Sequence, residues 1–294
     1  MAAFDVIVCG SLHLDIVVYA PTLPRPDETV AGTRWEQRCG GKGGNQAVMA
    51  SRAGARTAMI GRVGDDAFGL RLRANLEEAG VDACEVVVDG DTGSGMSAAI
   101  VRNDGDYSAV IVSGANLKIP ADALEDRWRA LGGARVLALQ NEVLEAVDVA
   151  AAAVAKASGA TVVLNAAPAR PMPKSLLDLV DVLVVNRVEA GMLAGGSVTN
   201  RTEAFDAARR LGSNRRAAIV TLGGDGLVVL PEGGEGLWIA PTTVSVVSTH
   251  GAGDCFVGTL AARLAAGDQL LQGAETASVA AARFVGQLDR APGA

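Results

Sequence analysis

Histidine is almost missing from this chain: His13 and His250 are the only two in 294 residues. Cysteine is nearly as scarce, and Cys9, Cys39, Cys84 and Cys255 form no Cys-x-x-Cys pair. These shortages argue against a zinc site and against a disulfide framework. Aromatic residues make up 3% of the chain, and Trp35, Trp128 and Trp238 stand as scattered singletons read as packing. There is no basic run, and the formal net charge is -7. That balance gives no footprint for nucleic acid or an anionic membrane surface. No apolar run approaches the roughly 18 residues needed to span a bilayer. The opening stretch, Met1 to Val8, has no basic segment and meets Asp5 early, which predicts no secretory leader and a cytoplasmic protein.

What remains is a hydrophobic content of 49% and 36 glycines. Ala, Val, Leu and Gly therefore build the core, which suits helices packed closely on a parallel sheet. Short apolar runs at 6–9, 58–60, 85–88, 136–139, 161–164, 182–185 and 217–221 read as buried strands. They alternate with helical patterns at 47–53, 67–79, 121–131, 145–158 and 201–211, and two further helices run at 252–266 and 270–287. The rhythm predicts an α/β fold of three layers, a mostly parallel sheet with helices on both faces. Four segments break the rhythm. Leu12 to Tyr19, Thr29 to Arg38, Ser97 to Arg102 and Tyr107 to Val112 read as half-exposed strands, the last two joined by a turn at Asn103-Asp104-Gly105-Asp106. They predict a small extra sheet, from 12–38 and 96–112, inserted in a single domain spanning 1–294.

The stretch Ser248-Thr249-His250-Gly251-Ala252-Gly253-Asp254 follows an apolar run read as a strand, Val244 to Val247, and leads into a helix. A small-residue turn there offers free backbone N–H groups and a helix dipole to an anion. Asp254 falls in the first helical turn. It fits two roles: a helix cap, or a base that takes a proton from a hydroxyl attacking a phosphorus beside the turn. Gly40-Gly41-Lys42-Gly43-Gly44-Asn45-Gln46 is not a Walker loop, because no Ser or Thr follows the lysine, and no GxGxxG follows the first strand. A tight turn explains this loop, and so does a polyol site with Lys42 and Asn45 as donors. Further polar residues fall at strand ends: His13 and Asp15, Gln140-Asn141-Glu142, Asn165, Asn186 with Glu189, and Thr221 with Gly223. Ligands of doubly wound sheets sit beyond the carboxyl ends of the strands, so a shared cleft accounts for them together.

The two glycine-rich stretches, with Leu164-Asn165-Ala166-Ala167-Pro168-Ala169, Asn186-x-x-Glu189 and Thr221-Leu222-Gly223-x-x-Gly226, resemble in order the motifs of the ribokinase (phosphofructokinase-B) family of sugar and nucleoside kinases. The resemblance runs from about Val6 to Pro292. It implies ATP-dependent transfer of a phosphoryl group to a primary hydroxyl of a sugar such as ribose, with a nucleoside as the alternative acceptor. It implies Asp254 as catalytic base and Gly251, Ala252 and Gly253 as an anion hole. It implies His13, Asp15, Gly41, Lys42, Asn45 and Glu142 around the sugar. Asn186, Glu189, Thr221, Gly223 and Gly226 fall to ATP, with Glu189 reaching Mg2+ through water. The small sheet corresponds to the family's lid, which in ribokinases also pairs two subunits. The departures are His13, where ribokinases usually carry Asn, and Ser248, where an Asp helps hold a monovalent cation. Ser248 predicts a weak or absent potassium site. The end soon after Pro292 predicts fewer cation contacts than in the family. A binding protein without catalysis, or a nicotinamide oxidoreductase, fits the residues less well.

Overall fold

The computed structural model describes residues 2–102, 107–212 and 216–286. The chain opens with β1 (Phe4–Cys9), then makes an excursion through β2 (His13–Ala20) and β3 (Arg34–Gly40). Helix α1 (Lys42–Arg52) brings it back to β4 (Thr57–Gly64), α2 (Ala67–Glu78) and β5 (Val86–Asp89). A second excursion adds β6 (Gly95–Arg102) and β7 (Tyr107–Val112). Strand and helix then alternate through α3 (Leu124–Ala130), β8 (Ala134–Gln140), α4 (Glu145–Ala157), β9 (Thr161–Asn165) and α5 (Lys174–Leu177). They continue through β10 (Val182–Asn186), α6 (Arg187–Ala194), α7 (Arg201–Leu211) and β11 (Ala217–Thr221). Strands β12 (Leu227–Leu230) and β13 (Leu237–Ile239) precede the last helices, α8 (Ala252–Ala265) and α9 (Leu270–Gly286).

The main sheet has nine strands in the order β13-β12-β11-β10-β9-β8-β1-β4-β5. All neighbours from β5 across to β11 are parallel, while β12 and β13 pair antiparallel at one edge. Side chains alternate across each strand and so feed two cores. Ile7 and Cys9 of β1 join Leu137 and Leu139 of β8 under α3, α4, α6 and α7. Val6 and Val8 join Val136 and Ala138 under α1, α2, α8 and α9. These are the three layers expected. The small sheet is also present, in the order β3-β2-β6-β7, with β2 and β6 parallel at its centre.

Several expectations need correction. Strand β3 starts at Arg34 rather than Thr29, because its partner β2 ends at Ala20 and the register sets Tyr19 opposite Arg34. The turn at 103–106 lies outside the described residues, as does residue 287 of the last helix. Val244 to Val247 is not a strand. It has no neighbour on the sheet, hangs from α9 through Val247 N–H to Val285 O (2.9 Å), and leaves Val246 and Val247 exposed. The glycine-rich stretch after β3 is not a loop either: Gly41 caps α1, with φ 84°, and Lys42 onward is already helical. Helices α5 and α6 and strand β13 are additions to the expected pattern. No helix among the described residues is long and apolar enough to cross a membrane.

Helices α1 and α8 lie against each other at Gly258. A methyl group there would sit 2.5 Å from Gln46 O and 2.9 Å from Ala50 N. Those are backbone atoms and cannot swing away. The approach brings the first turn of α1 beside that of α8. Gly258→Ala should therefore cost about 1–3 kcal/mol despite alanine's better helix propensity, because overpacking moves backbone. Urea denaturation checks this, and unchanged stability would show that the contact is not tight.

Candidate active site

The carboxyl ends of β1, β8, β9, β10 and β11 all open on one side, where the first turns of α1 and α8 meet them. Gly251 caps α8 in the left-handed region, with φ 78°, and Cys255 N–H closes the first helical bond to Gly251 O at 2.9 Å. Ala252 N–H reaches back to Thr249 O at 3.3 Å. The Gly251-Ala252-Gly253 turn is thus the positive end of a 14-residue helix.

Asp254 projects from that turn into the cleft and is 7% exposed. Asn45 Nδ2 donates to its Oδ2 at 2.9 Å, and Gln46 Nε2 donates to its Oδ1 at 3.0 Å. Burial pushes the Asp254 carboxyl up; Lys42 and the two amides oppose the rise, and Glu142 adds to it. A cap would turn its carboxylate back onto its own helix. This one is held by α1, facing the cleft. Cys255 beside it is buried, as a packing residue of α8 is.

Glu142, just beyond β8, accepts from Lys42 N–H at 2.9 Å, so it neutralises the start of α1. Ser11 Oγ donates to the same oxygen. His13 lies behind it with Nδ1 3.9 Å from Glu142 Oε2, while its Nε2 is buried with no hydrogen-bond partner. Burial pushes the imidazole below its ordinary value, against the pull of Glu142 and Asp15. Burial thus favours the neutral form of the ring. Asp15, one step along β2, is held by Ser97 Oγ from β6. Gly40 leaves room for it, since a methyl there would lie 2.3 Å from Asp15 Oδ2. Gly41, Lys42 and Asn45 complete this end. Ser11 and Ser97 went unnoticed in the sequence; the pairing of Asp15 with Ser97 became visible only once β2 and β6 were in register.

At the other end, Asn186 and Glu189 form a capping box on α6. Asn186 Oδ1 accepts from Val188 and Glu189 N–H, both at 2.9 Å, and Glu189 Oε2 accepts from Asn186 N–H at 2.8 Å. Burial pushes the Glu189 carboxyl up, against the Asn186 hydrogen bond and Lys42. Thr221 Oγ1 reaches Val185 O at 3.4 Å. Gly223 and Gly226 bound the following turn with φ 61° and 82°. Arg187 bridges from α6 to Leu222 O and to Asp225 Oδ2 across that turn. It lines a cavity of about 460 Å³ with Thr199, Arg201, Trp238 and Pro241. The Ser248 hydroxyl accepts from His250 N–H, at 3.2 Å, and supplies no carboxylate beside the glycine turn.

Asp254 is thus doubly held at a helix start, between a carboxylate-lined polar recess and the Gly251-Ala252-Gly253 turn. A model of the pfkB family of carbohydrate kinases matches residues 3–290. The chain belongs to that family. Ribokinase of Mus musculus is 35% identical over 266 residues, covering 90% of this chain and 82% of that one. Deoxyribokinase of Salmonella typhimurium is 32% identical, covering 87% and 84%. Among solved structures, Arabidopsis thaliana ribokinase complexed with ribose and ATP superposes with a TM-score of 0.88 at 29% identity, covering 100% of this chain and 95% of that one. This protein is thus an ATP-dependent carbohydrate kinase.

Burial raises the pKa of Asp254, and if this carboxylate acts as a base it works only when deprotonated. Activity should be lost as pH falls through that value, so the acid limb of kcat/KM should lie above the ordinary carboxylate range of about 4. A limb at or below that range would show that another group is titrating.

Proposed function

We propose that this kinase transfers the γ-phosphate of ATP to the primary hydroxyl of ribose or a closely similar pentose. The observation that carries the reading is Asp254, buried and held by two amides at the start of α8. Asp15 and Glu142 accept from sugar hydroxyls, and Lys42 and Asn45 donate to them. Asp254 takes the proton of the acceptor hydroxyl, whose oxygen then attacks the γ-phosphorus. The bond to the β,γ-bridging oxygen breaks and ADP leaves. The N–H groups of Gly251, Ala252 and Gly253 meet the charge on the transferring group. Thr221, Gly223 and Gly226 border the nucleotide.

Among the described residues no group of three His, Cys, Asp or Glu could hold a metal ion. A single buried carboxylate, Glu189, is assigned to the phosphate end. That donor set fits Mg2+ carried on nucleotide phosphates and touched by Glu189 and Asn186 through water. Bound so, the ion neutralises phosphate charge. Ser248 offers a monovalent cation one neutral oxygen, so at constant ionic strength potassium should change kcat less than about threefold; strong activation would contradict this.

The four-stranded sheet is read as a lid that excludes water on closure. Its edge strands expose Trp35 on β3 and Val110, Ile111 and Val112 on β7. Such apolar edges fit pairing of two lids into a homodimer. In sedimentation velocity, Trp35→Arg with Ile111→Glu should convert a dimer to a monomer. A monomeric wild-type protein would refute the pairing. Residence in the cytoplasm is supported by four cysteines that are all unpaired.

Deoxyribose is the second reading, favoured by the deoxyribokinase relative and by His13, a bulkier side chain where ribokinases usually carry Asn. A panel of ribose, deoxyribose, fructose, adenosine, inosine and cytidine with Mg-ATP tests the assignment. Ribose should give the highest kcat/KM, with each nucleoside at least about 100-fold lower. Preference for a nucleoside would overturn it.

A further inference from the structure

Gln46 closes the glycine-rich stretch and is fully buried, yet the roles given above to sugar, ATP and metal do not use it. Every polar position of its amide is engaged. Nε2 donates to Asp254 Oδ1 at 3.0 Å and to Asn165 Oδ1 at 3.2 Å. Oε1 accepts from Gln140 Nε2 at 2.8 Å. Asn165 is itself turned by Nδ2 donating to Val184 O at 3.3 Å. The ends of β8 and β9 thus fix which way the amide points, and the amide fixes one oxygen of Asp254. Gly10 belongs to the same arrangement. A methyl group on it would lie 1.9 Å from Gln140 Oε1, so the bare backbone at the end of β1 is what lets Gln140 reach Gln46.

The two amides on Asp254 differ. Asn45 is half-buried and belongs to the group facing the sugar, so an acceptor hydroxyl competes for it. Gln46 lies behind the cleft, where no acceptor reaches. We propose that Gln46 is a positioning residue: pinned by Gln140 and Asn165, it keeps the Asp254 carboxylate in one orientation when Asn45 turns to the acceptor. Its N–H also favours the ionised carboxylate. The other charged groups acting there are Lys42 from α1, Glu142 beyond β8 and Glu189 from α6, and none of them is changed by altering Gln46.

The inference rests on Asp254 acting as the base, and the test separates the two. Gln46→Met keeps the shape and removes the donor. It should lower kcat about 10–100-fold, leave the ribose KM within about threefold, and move the acid limb of kcat/KM upward by about one pH unit. A role in packing alone would lower the melting temperature without moving the limb, so an unmoved limb in folded Gln46→Met overturns the inference. If that variant does not fold, Gln140→Met carries the test: it frees the Gln46 amide to rotate and should move the limb the same way by a smaller amount, and an unmoved limb again overturns it. Gln46→Glu, which puts a second carboxylate against Asp254, should move the limb furthest. Asp254→Asn is run beside them. If it retains turnover, the base assignment fails; if it is inactive while the Gln46 limb stays put, only the positioning role fails.

Discussion

The close approach of α1 and α8 at Gly258 is the constraint on which the rest of the site depends. Two helix starts cannot share a cleft unless their backbones come within reach, and a side chain at that crossing would hold them apart. Once they touch, the polar residues of the first turn of α1 meet the aspartate of the first turn of α8. The sheet supplies the other half. Its parallel strands end on one side, and their terminal polar residues support the helices from below: Gln140 and Asn165 under Gln46, Glu142 under the start of α1. Gly41, Gly43 and Gly258 let backbone approach backbone, since a methyl group at each would strike main-chain atoms.

Electrostatically the cleft is crowded with acid. Asp15, Glu142, Glu189 and Asp254 gather around Lys42, the cation whose charge reaches His13, Glu189 and Asp254. Burial is the main reason Asp254 holds a proton more tightly than a free carboxyl; Lys42 and the two amides oppose it, and Glu142 adds a little. The crowding would repel a nucleotide triphosphate if the phosphates lay among the carboxylates. They need not: the glycine turn is the positive end of α8 and offers a phosphate a place apart from the carboxylates. Acceptor and donor can thus be held by opposite ends of one cleft, with Asp254 between them.

Much of this was legible in sequence. Strands such as Val162-Val163-Leu164 and Val182-Leu183-Val184-Val185 are buried on both faces, so they appear as unbroken apolar runs. The residues around Asp254 carried a resemblance specific enough to name the family. What failed depended on tertiary neighbours. Val244 to Val247 has strand composition but no strand beside it. Helix α6 went unread because Asn186 and Glu189 were taken for ligand contacts, although the same spacing is a helix-start signal. The structure shows the capping box, which fixes how the Asn186 and Glu189 side chains are oriented at the start of α6. Gln46 was visible and unassigned, since a buried amide announces nothing until its three partners are known. Gln140 and Asn165 stood out as strand-end polar residues, but nothing in their spacing pointed to α1.

The central claim is that Asp254 is the base of phosphoryl transfer. It is tested most directly by single-turnover transfer from Mg-ATP to ribose in Asp254→Asn, with folding monitored by circular dichroism. Asparagine keeps the size of the side chain and removes its ability to take a proton. The account predicts a rate lower by about two to four orders of magnitude in a folded protein. A rate within a few-fold of the unaltered enzyme would contradict it.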